Sequence, residues 1–151
     1  MKRKNTGFTL VEILIVVIIL GILAAIVIPQ FTEASNDARV SALVSDLQTV
    51  RSQIELYKIQ HLDDYPGTIN GTWTIGNFVT HLTGKTDING QAGGTLGPYL
   101  QKFPTNPFNT SAAVRDATGA SDPNTEVGAD GWWFNSTTGC FGANTTEYID
   151  R

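Results

Sequence analysis

The hydrophobic residues of this chain are concentrated in one segment near its N-terminus. Between Phe8 and Ile28 only Thr9, Glu12 and Gly21 interrupt the aliphatic and aromatic side chains. About 20 helical residues are enough to cross the hydrocarbon core of a bilayer, and this segment has that length. It therefore predicts a membrane-spanning helix, and the more polar remainder of the chain predicts a water-soluble part.

A second helical pattern follows the apolar segment. Large side chains recur at spacings of three and four residues, at Val40, Leu43, Leu47, Val50, Ile54 and Tyr57. This spacing is typical of an amphipathic helix that packs one face on a core. Pro29 has no backbone N–H and crowds the preceding turn, so the stretch from Gly21 to Pro29 is expected to be a weak point. We predict one long helix, apolar all round in 8–28 and amphipathic in 29–60.

The composition changes at residue 61, where a head of residues 61–151 begins. Turn residues such as Pro66 and Gly67 become frequent, a short helix is expected at about 76–83, and one helical turn is expected near Tyr99. Two aromatic-rich runs, 132–134 and 140–141, flank the turn "NSTTG" and predict a β-hairpin. Val114 indicates a third strand. The expected fold is α+β, with the long helix packed on a small antiparallel sheet.

Charge and reactive residues narrow the chemistry. The formal net charge is −4, and it becomes −7 without the three basic residues of the first seven, which argues against a nucleic-acid partner. Cys140 is the only cysteine, and its simplest interpretation is a small buried side chain in a strand. His61 and His81 are too isolated to indicate a metal site. No arrangement of residues suggests an enzyme or a cofactor.

Glu12 raises a question, because an unpaired carboxylate in an apolar phase is costly. One interpretation is a glutamate that caps its own helix, since the helix dipole is positive in the first turn. The other is a carboxylate that pairs with a cation of another chain. The basic residues before the segment place the N-terminus on the cytoplasmic side of the membrane. A secretory signal peptide also begins with basic residues, but its apolar part is shorter.

The first 31 residues resemble the N-terminus of type IV prepilins and of the pseudopilins of type II secretion. The likeness lies in "KNTGFTLVEILIVVIILGILAAIVIPQF", with a basic leader, Gly7 before Phe8, Glu12 four residues later and Pro29. It implies that a prepilin peptidase removes residues 1–7, and that the same enzyme N-methylates Phe8. It also implies that Glu12 brings each subunit into register against the N-terminal amine of a neighbour.

The resemblance implies a structural subunit of a type IV pilus or of a type II secretion pseudopilus, polymerised through its N-terminal helix. The expected partners are the peptidase, other pilin or pseudopilin subunits, an inner-membrane assembly platform and membrane lipid. The head is expected in the periplasm before assembly and on the filament or cell surface afterwards. Secretion, adhesion, motility and DNA uptake stay open as the process served, as do a major and a minor role.

Two further interpretations concern the head. The alternative function is a monomeric membrane-anchored module that binds a ligand such as a glycan, motivated by Trp73, Trp132 and Trp133. The second concerns calcium, because major pseudopilins often carry an acidic calcium-binding loop near the C-terminus. Four acidic residues precede the predicted hairpin here, but their spacing matches no calcium motif, so no metal is predicted: Asp116, Asp122, Glu126 and Asp130.

Overall fold

The computed structural model describes residues 7–119 and 128–145, and the chain divides into two compact units, Met1–Ala38 and Arg39–Arg151. The first element, helix α1, runs over Leu10–Gln60 and contributes residues to both units. The predicted helix over 8–60 is confirmed except at its first two residues, because Thr9 caps the helix. The α-helical backbone continues through Pro29.

In the first unit the described part of the chain is almost entirely helical, and its apolar side chains are uncovered. Every large hydrophobic residue from Phe8 to Phe31 is exposed by half or more. Among the described residues, α1 is the one helix long and apolar enough to cross a membrane. Its first half therefore needs lipid or other helices around it, as the sequence predicts.

The second unit adds five short strands and a short helix to α1. Strands β1 (Thr68–Ile69) and β2 (Thr72–Trp73) form a two-stranded antiparallel ribbon. A 3₁₀ turn, Ile75–Asn77, leads into α2, Phe78–Thr83. The other sheet has the order β3-β4-β5, built from Val114–Asp116, Trp132–Asn135 and Cys140–Ala143.

The α+β class, the short helix, the third strand and the hairpin of β4 with β5 are confirmed. The three-stranded sheet is mixed, however, because β3 runs parallel to β4. A parallel pair needs a long connection, which residues 117–131 provide. The ribbon β1–β2 was not predicted, although its turn, Asn70-Gly71, is a typical hairpin signal with positive φ at both residues.

The helical turn expected near Tyr99 is wrong. The backbone N–H groups of Tyr99 and Leu100 both donate to the carbonyl oxygen of Leu82, at 2.9 and 2.8 Å. These bonds tie the segment to the end of α2, so its N–H groups are not available for a local helical turn. Leu100 is buried there and joins the core.

The core of the head lies between one face of α1 and the mixed sheet. Leu43, Leu47, Val50, Ile54 and Tyr57 are buried as the helical spacing predicts, and Val40 is half-buried. The sheet and α2 contribute a group of aromatic side chains, with ring centroids 4.6 Å apart for Phe78 and Phe134 and 5.5 Å for Trp132 and Phe141.

Strand alternation corrects the expectation for Cys140. Successive side chains of a strand point to opposite faces. Phe141 and Ala143 occupy the buried face of β5, so Cys140 points the other way and is exposed. Gly142 shares that outer face and lies under the indole ring of Trp133, which a Cβ at this position would contact.

Candidate functional site

The start of α1 carries a capping box formed by Thr9 and Glu12. The backbone N–H of Thr9 donates to Glu12 Oε2 at 2.8 Å, and the Thr9 hydroxyl donates to the same oxygen at 2.7 Å. In return, the backbone N–H of Glu12 donates to Thr9 Oγ1 at 3.3 Å. These reciprocal bonds satisfy backbone donors that the first turn of a helix otherwise leaves unpaired.

The self-capping interpretation of Glu12 thus has a physical basis in the single chain. Both hydrogen bonds that Glu12 accepts fall on Oε2, so within the described residues Oε1 has no donor. A capped carboxylate is held in place at the helix start, where a second donor can still reach it. Capping and pairing with a cation are therefore compatible roles for this side chain.

Gly7 and Phe8 precede the helix and are open to solvent. A Cβ placed on Gly7 would meet no atom within 4 Å, and Phe8 is 82% exposed. An apolar groove of about 470 Å³ begins at the Phe8 ring and follows the first two turns of the helix; its lining is Phe8, Thr9, Leu10, Ile13, Leu14 and Val17. This surface offers apolar contact and one carboxylate, and it holds no nucleophile or general base.

Gly21 and Pro29, the predicted weak point, are both inside the continuous helix α1. Nothing lies within 4 Å of a Cβ placed on Gly21. Next to Pro29, the Thr32 hydroxyl donates to the carbonyl oxygen of Ile28 at 3.1 Å, a bond of the kind that often accompanies a bend. Whether the helix loosens here in an assembly stays a prediction.

The head contains a buried polar cluster that sequence reasoning missed. His61 stacks on the Tyr57 ring with centroids 3.6 Å apart, and it bonds the Tyr57 carbonyl through Nδ1 at 2.9 Å and Thr86 Oγ1 through Nε2 at 2.8 Å. Tyr57 also lies 2.8 Å from His81 Nδ1 through its hydroxyl. The spacing of Tyr57 and His61, four residues on one helix, is the one local signal of this cluster.

The hydrogen bonds of His81 define its protonation. The backbone N–H of Gly67 donates to His81 Nδ1 at 3.1 Å, so this nitrogen carries no proton and the Tyr57 hydroxyl donates to it as well. Burial lowers the pKa of His81, and the neighbouring His61 adds to the shift. Burial also raises the pKa of Tyr57, which stays a neutral donor. The cluster is therefore a neutral structural network.

The tryptophans that motivated a ligand-binding module are used in the core. Trp132 and Trp133 are buried, and Trp132 Nε1 donates to the Pro104 carbonyl at 3.0 Å. Trp73 is half-buried and donates to the Pro66 carbonyl at 3.0 Å. None of these rings lies open for stacking on a sugar, so the geometry does not favour the alternative function.

The acidic loop before the hairpin is described in part. Asp122 and Glu126 lie outside the described residues. Asp116 Oδ1 accepts a hydrogen bond from the backbone N–H of Thr118 at 2.7 Å, and Asp130 accepts bonds on its backbone carbonyl. Over 7–119 and 128–145, no three His, Cys, Asp or Glu side chains are grouped so that they could share a metal ion. The absence of a cofactor stays a prediction.

Comparison with known proteins agrees with this arrangement. Residues 2–28 match the family model described as the prokaryotic N-terminal methylation motif. The chain is 33% identical over 107 residues to the type II secretion system core protein G of Pseudomonas aeruginosa, which covers 71% of this chain and 70% of that protein. No solved structure gives a significant match.

Two other relatives have the same description. The core protein G of Vibrio cholerae is 34% identical over 106 residues, covering 70% of this chain and 67% of that protein. The core protein G of Dickeya chrysanthemi is 39% identical over 108 residues, covering 72% of this chain and 66% of that protein. These alignments are much longer than the N-terminal motif, so they include part of the head.

An apolar N-terminal helix with the methylation motif, joined to an α+β head, defines the class of pilin-like membrane-anchored proteins. Within that class, the chain belongs to the family of the type II secretion system core protein G, the pseudopilins. Members of this family are structural subunits and not enzymes. Its partners are accordingly other pseudopilin subunits in a filament, and its apolar helix is a membrane anchor.

Proposed function

We propose that this chain is a subunit of the pseudopilus of a type II secretion system. The observation that carries the proposal is the methylation motif over 2–28 in a chain that also aligns, over most of its length, with core protein G. In this function the apolar half of α1 anchors the subunit in the inner membrane and later joins the filament. The head stays on the periplasmic side, because the basic leader stays in the cytoplasm.

Processing after Gly7 is the first step. The bond between Gly7 and Phe8 precedes the helix, which begins at Leu10, and both residues are uncovered. A membrane-embedded prepilin peptidase needs such an accessible, non-helical bond, and the missing side chain of Gly7 leaves room for the enzyme. Cleavage creates a free amine on Phe8, which the same enzyme N-methylates.

Assembly is the second step, and Glu12 directs it. Thr9 holds the Glu12 carboxylate at the helix start through Oε2. The amine of Phe8 in a neighbouring subunit, delivered by the inner-membrane assembly platform, pairs with this carboxylate. A charge pair between parallel staggered helices removes the cost of an isolated carboxylate in the apolar phase.

The processing proposal is tested at Gly7. We expect mass spectrometry of the mature wild-type chain to show an N-terminus at Phe8 that carries one methyl group. Gly7→Leu is expected to accumulate as the uncut precursor, because its side chain fills the space next to the scissile bond. Normal cleavage of Gly7→Leu refutes the proposed site.

The assembly proposal is tested at Glu12, with Thr9 as the matched control. Glu12→Ala is expected to leave a processed, membrane-inserted chain that no longer enters filaments made by wild-type partners. Thr9→Val removes the hydroxyl hydrogen bonds of the capping box and keeps the carboxylate, so it is expected to assemble. Filaments of Glu12→Ala at the wild-type level refute the pairing role, and equal loss in both variants shows that Glu12 acts through capping alone.

A further inference from the structure

Three large aliphatic side chains of the head stay exposed where α1 ends. Leu56 is 41% exposed, Ile59 80% and Leu62 68%. Leu56 and Ile59 are neighbours on the helix surface because they are three residues apart, and Leu62 follows three residues later in the turn that closes the helix. We refer to Leu56, Ile59 and Leu62 as the helix-end patch.

Leu62 is exposed at the cost of an unfavourable backbone. Its φ is 56°, a left-handed conformation that bulky residues rarely adopt, and Asp63 follows with a φ of 73°. The turn is held by a hydrogen bond from the Asp63 N–H to the Lys58 carbonyl at 3.1 Å, and by the buried ring of His61 before it. Glycine or asparagine fits such a position more easily. An exposed leucine here breaks two local rules, which indicates a functional reason.

The helix face that leads to the patch carries no charge. Thr49 and Ser52 share this face with Leu56 and Ile59, since the four residues are separated by three, four and three positions. The hydroxyls of Thr49 and Ser52 each donate to the carbonyl oxygen four residues earlier, at 2.8 Å in both cases. These polar groups are satisfied within the helix, so another protein surface can cover them without leaving them unpaired.

We propose that the helix-end patch contacts a second copy of this chain in the filament, an inference that rests on the proposed function. Three side chains cover far less than the roughly 800 Å² per partner of a standard stable interface, so the patch cannot hold two free chains together. A neighbour already held in the same assembly is present at a high effective concentration, and a small contact is then sufficient. A contact between two different surfaces of identical copies continues along an open filament.

The test separates apolar contact from head stability. Leu62→Asn removes the aliphatic side chain and supplies a residue that adopts positive φ readily, and Ile59→Gln removes the second one in a good helix former. We expect the double variant to unfold at a temperature equal to or above that of the wild type in detergent. Its filament yield in the membrane of the host is expected to fall about tenfold. Ile88→Gln, which changes an aliphatic residue 48% exposed elsewhere in the head, is expected to assemble normally.

Photo-crosslinking identifies the occupant. A benzoylphenylalanine in place of Ile59 in the full-length chain is expected to give a crosslink to a second copy in assembled filaments, and none in Glu12→Ala. A crosslink to a different protein, or wild-type assembly of the double variant, overturns the role of the patch and leaves the proposed function intact. If wild-type chains form no filaments at all, both proposals are wrong.

Discussion

We expect the head to lose stability as the pH falls below about 6.5, the ordinary pKa of histidine. The group responsible is His81, which is buried and accepts hydrogen bonds on Nδ1 from the Gly67 N–H and the Tyr57 hydroxyl. A proton on Nδ1 turns this acceptor into a donor. The Gly67 N–H is also buried, and it then has no acceptor on His81.

The sign of the effect follows from the direction of the pKa shift. Burial lowers the pKa of His81 in the folded chain below its ordinary value. The unfolded chain therefore binds a proton first as the pH falls, and the free energy of unfolding decreases from pH 6.5 down to the folded pKa. Leaving one buried N–H unpaired costs about 1–3 kcal/mol. For a domain of roughly 100 residues, this lowers Tm by about 4–12 °C.

The assay is thermal unfolding of the full-length chain in detergent, followed by circular dichroism between pH 8 and pH 5.5. His81→Asn places an amide oxygen near the position of Nδ1, so it keeps an acceptor for Gly67 and cannot titrate. We expect the variant to start at a lower Tm than the wild type, because the ring is lost, and to show a flatter dependence on pH. Parallel Tm curves for the two proteins would refute the role of His81.

Three further predictions address the sheet, the topology and the acidic loop. Gly142→Ala forces the Trp133 indole away from β5 and is expected to lower the free energy of unfolding by about 1–3 kcal/mol, measured by urea unfolding with tryptophan fluorescence; unchanged stability argues against this contact. Cys140 is exposed, so a membrane-impermeant maleimide added to spheroplasts is expected to label it without denaturant; labelling that requires lysis contradicts a periplasmic head. Calcium in place of a chelator is expected to leave the Tm unchanged, because no metal is predicted in the loop; a reproducible rise shows that Asp116 or its neighbours bind the ion.

If the helix-end patch acts as proposed, the head contributes to polymerisation beside the apolar half of α1. The two contacts differ in kind. Phe8 and Glu12 provide a charge pair that requires processing, whereas Ile59 and Leu62 provide apolar contact that is present in the precursor as well. Cleavage would then decide when assembly begins, and the head contact would add stability once neighbours are in place.

The sequence by itself determined the elements that depend on local spacing. A run of apolar residues from Phe8 to Ile28 is long enough for a membrane, and side chains at helical spacing such as Leu43 and Leu47 identify the buried face of α1. The hairpin of β4 with β5 was also predictable, because two aromatic runs flank one turn. The N-terminal motif was readable for the same reason, since Gly7, Phe8 and Glu12 are close together in sequence.

Only the tertiary structure decided the relations between residues far apart in the chain. Tyr57 and His81 are brought together across 24 positions, so sequence spacing gave no sign of their hydrogen bond. The direction of β3 depends on where its partner lies, and the outward orientation of Cys140 depends on which face of β5 meets the helix. Spacing along the chain sets local geometry, but packing against distant elements sets which polar groups are buried and which apolar groups remain exposed.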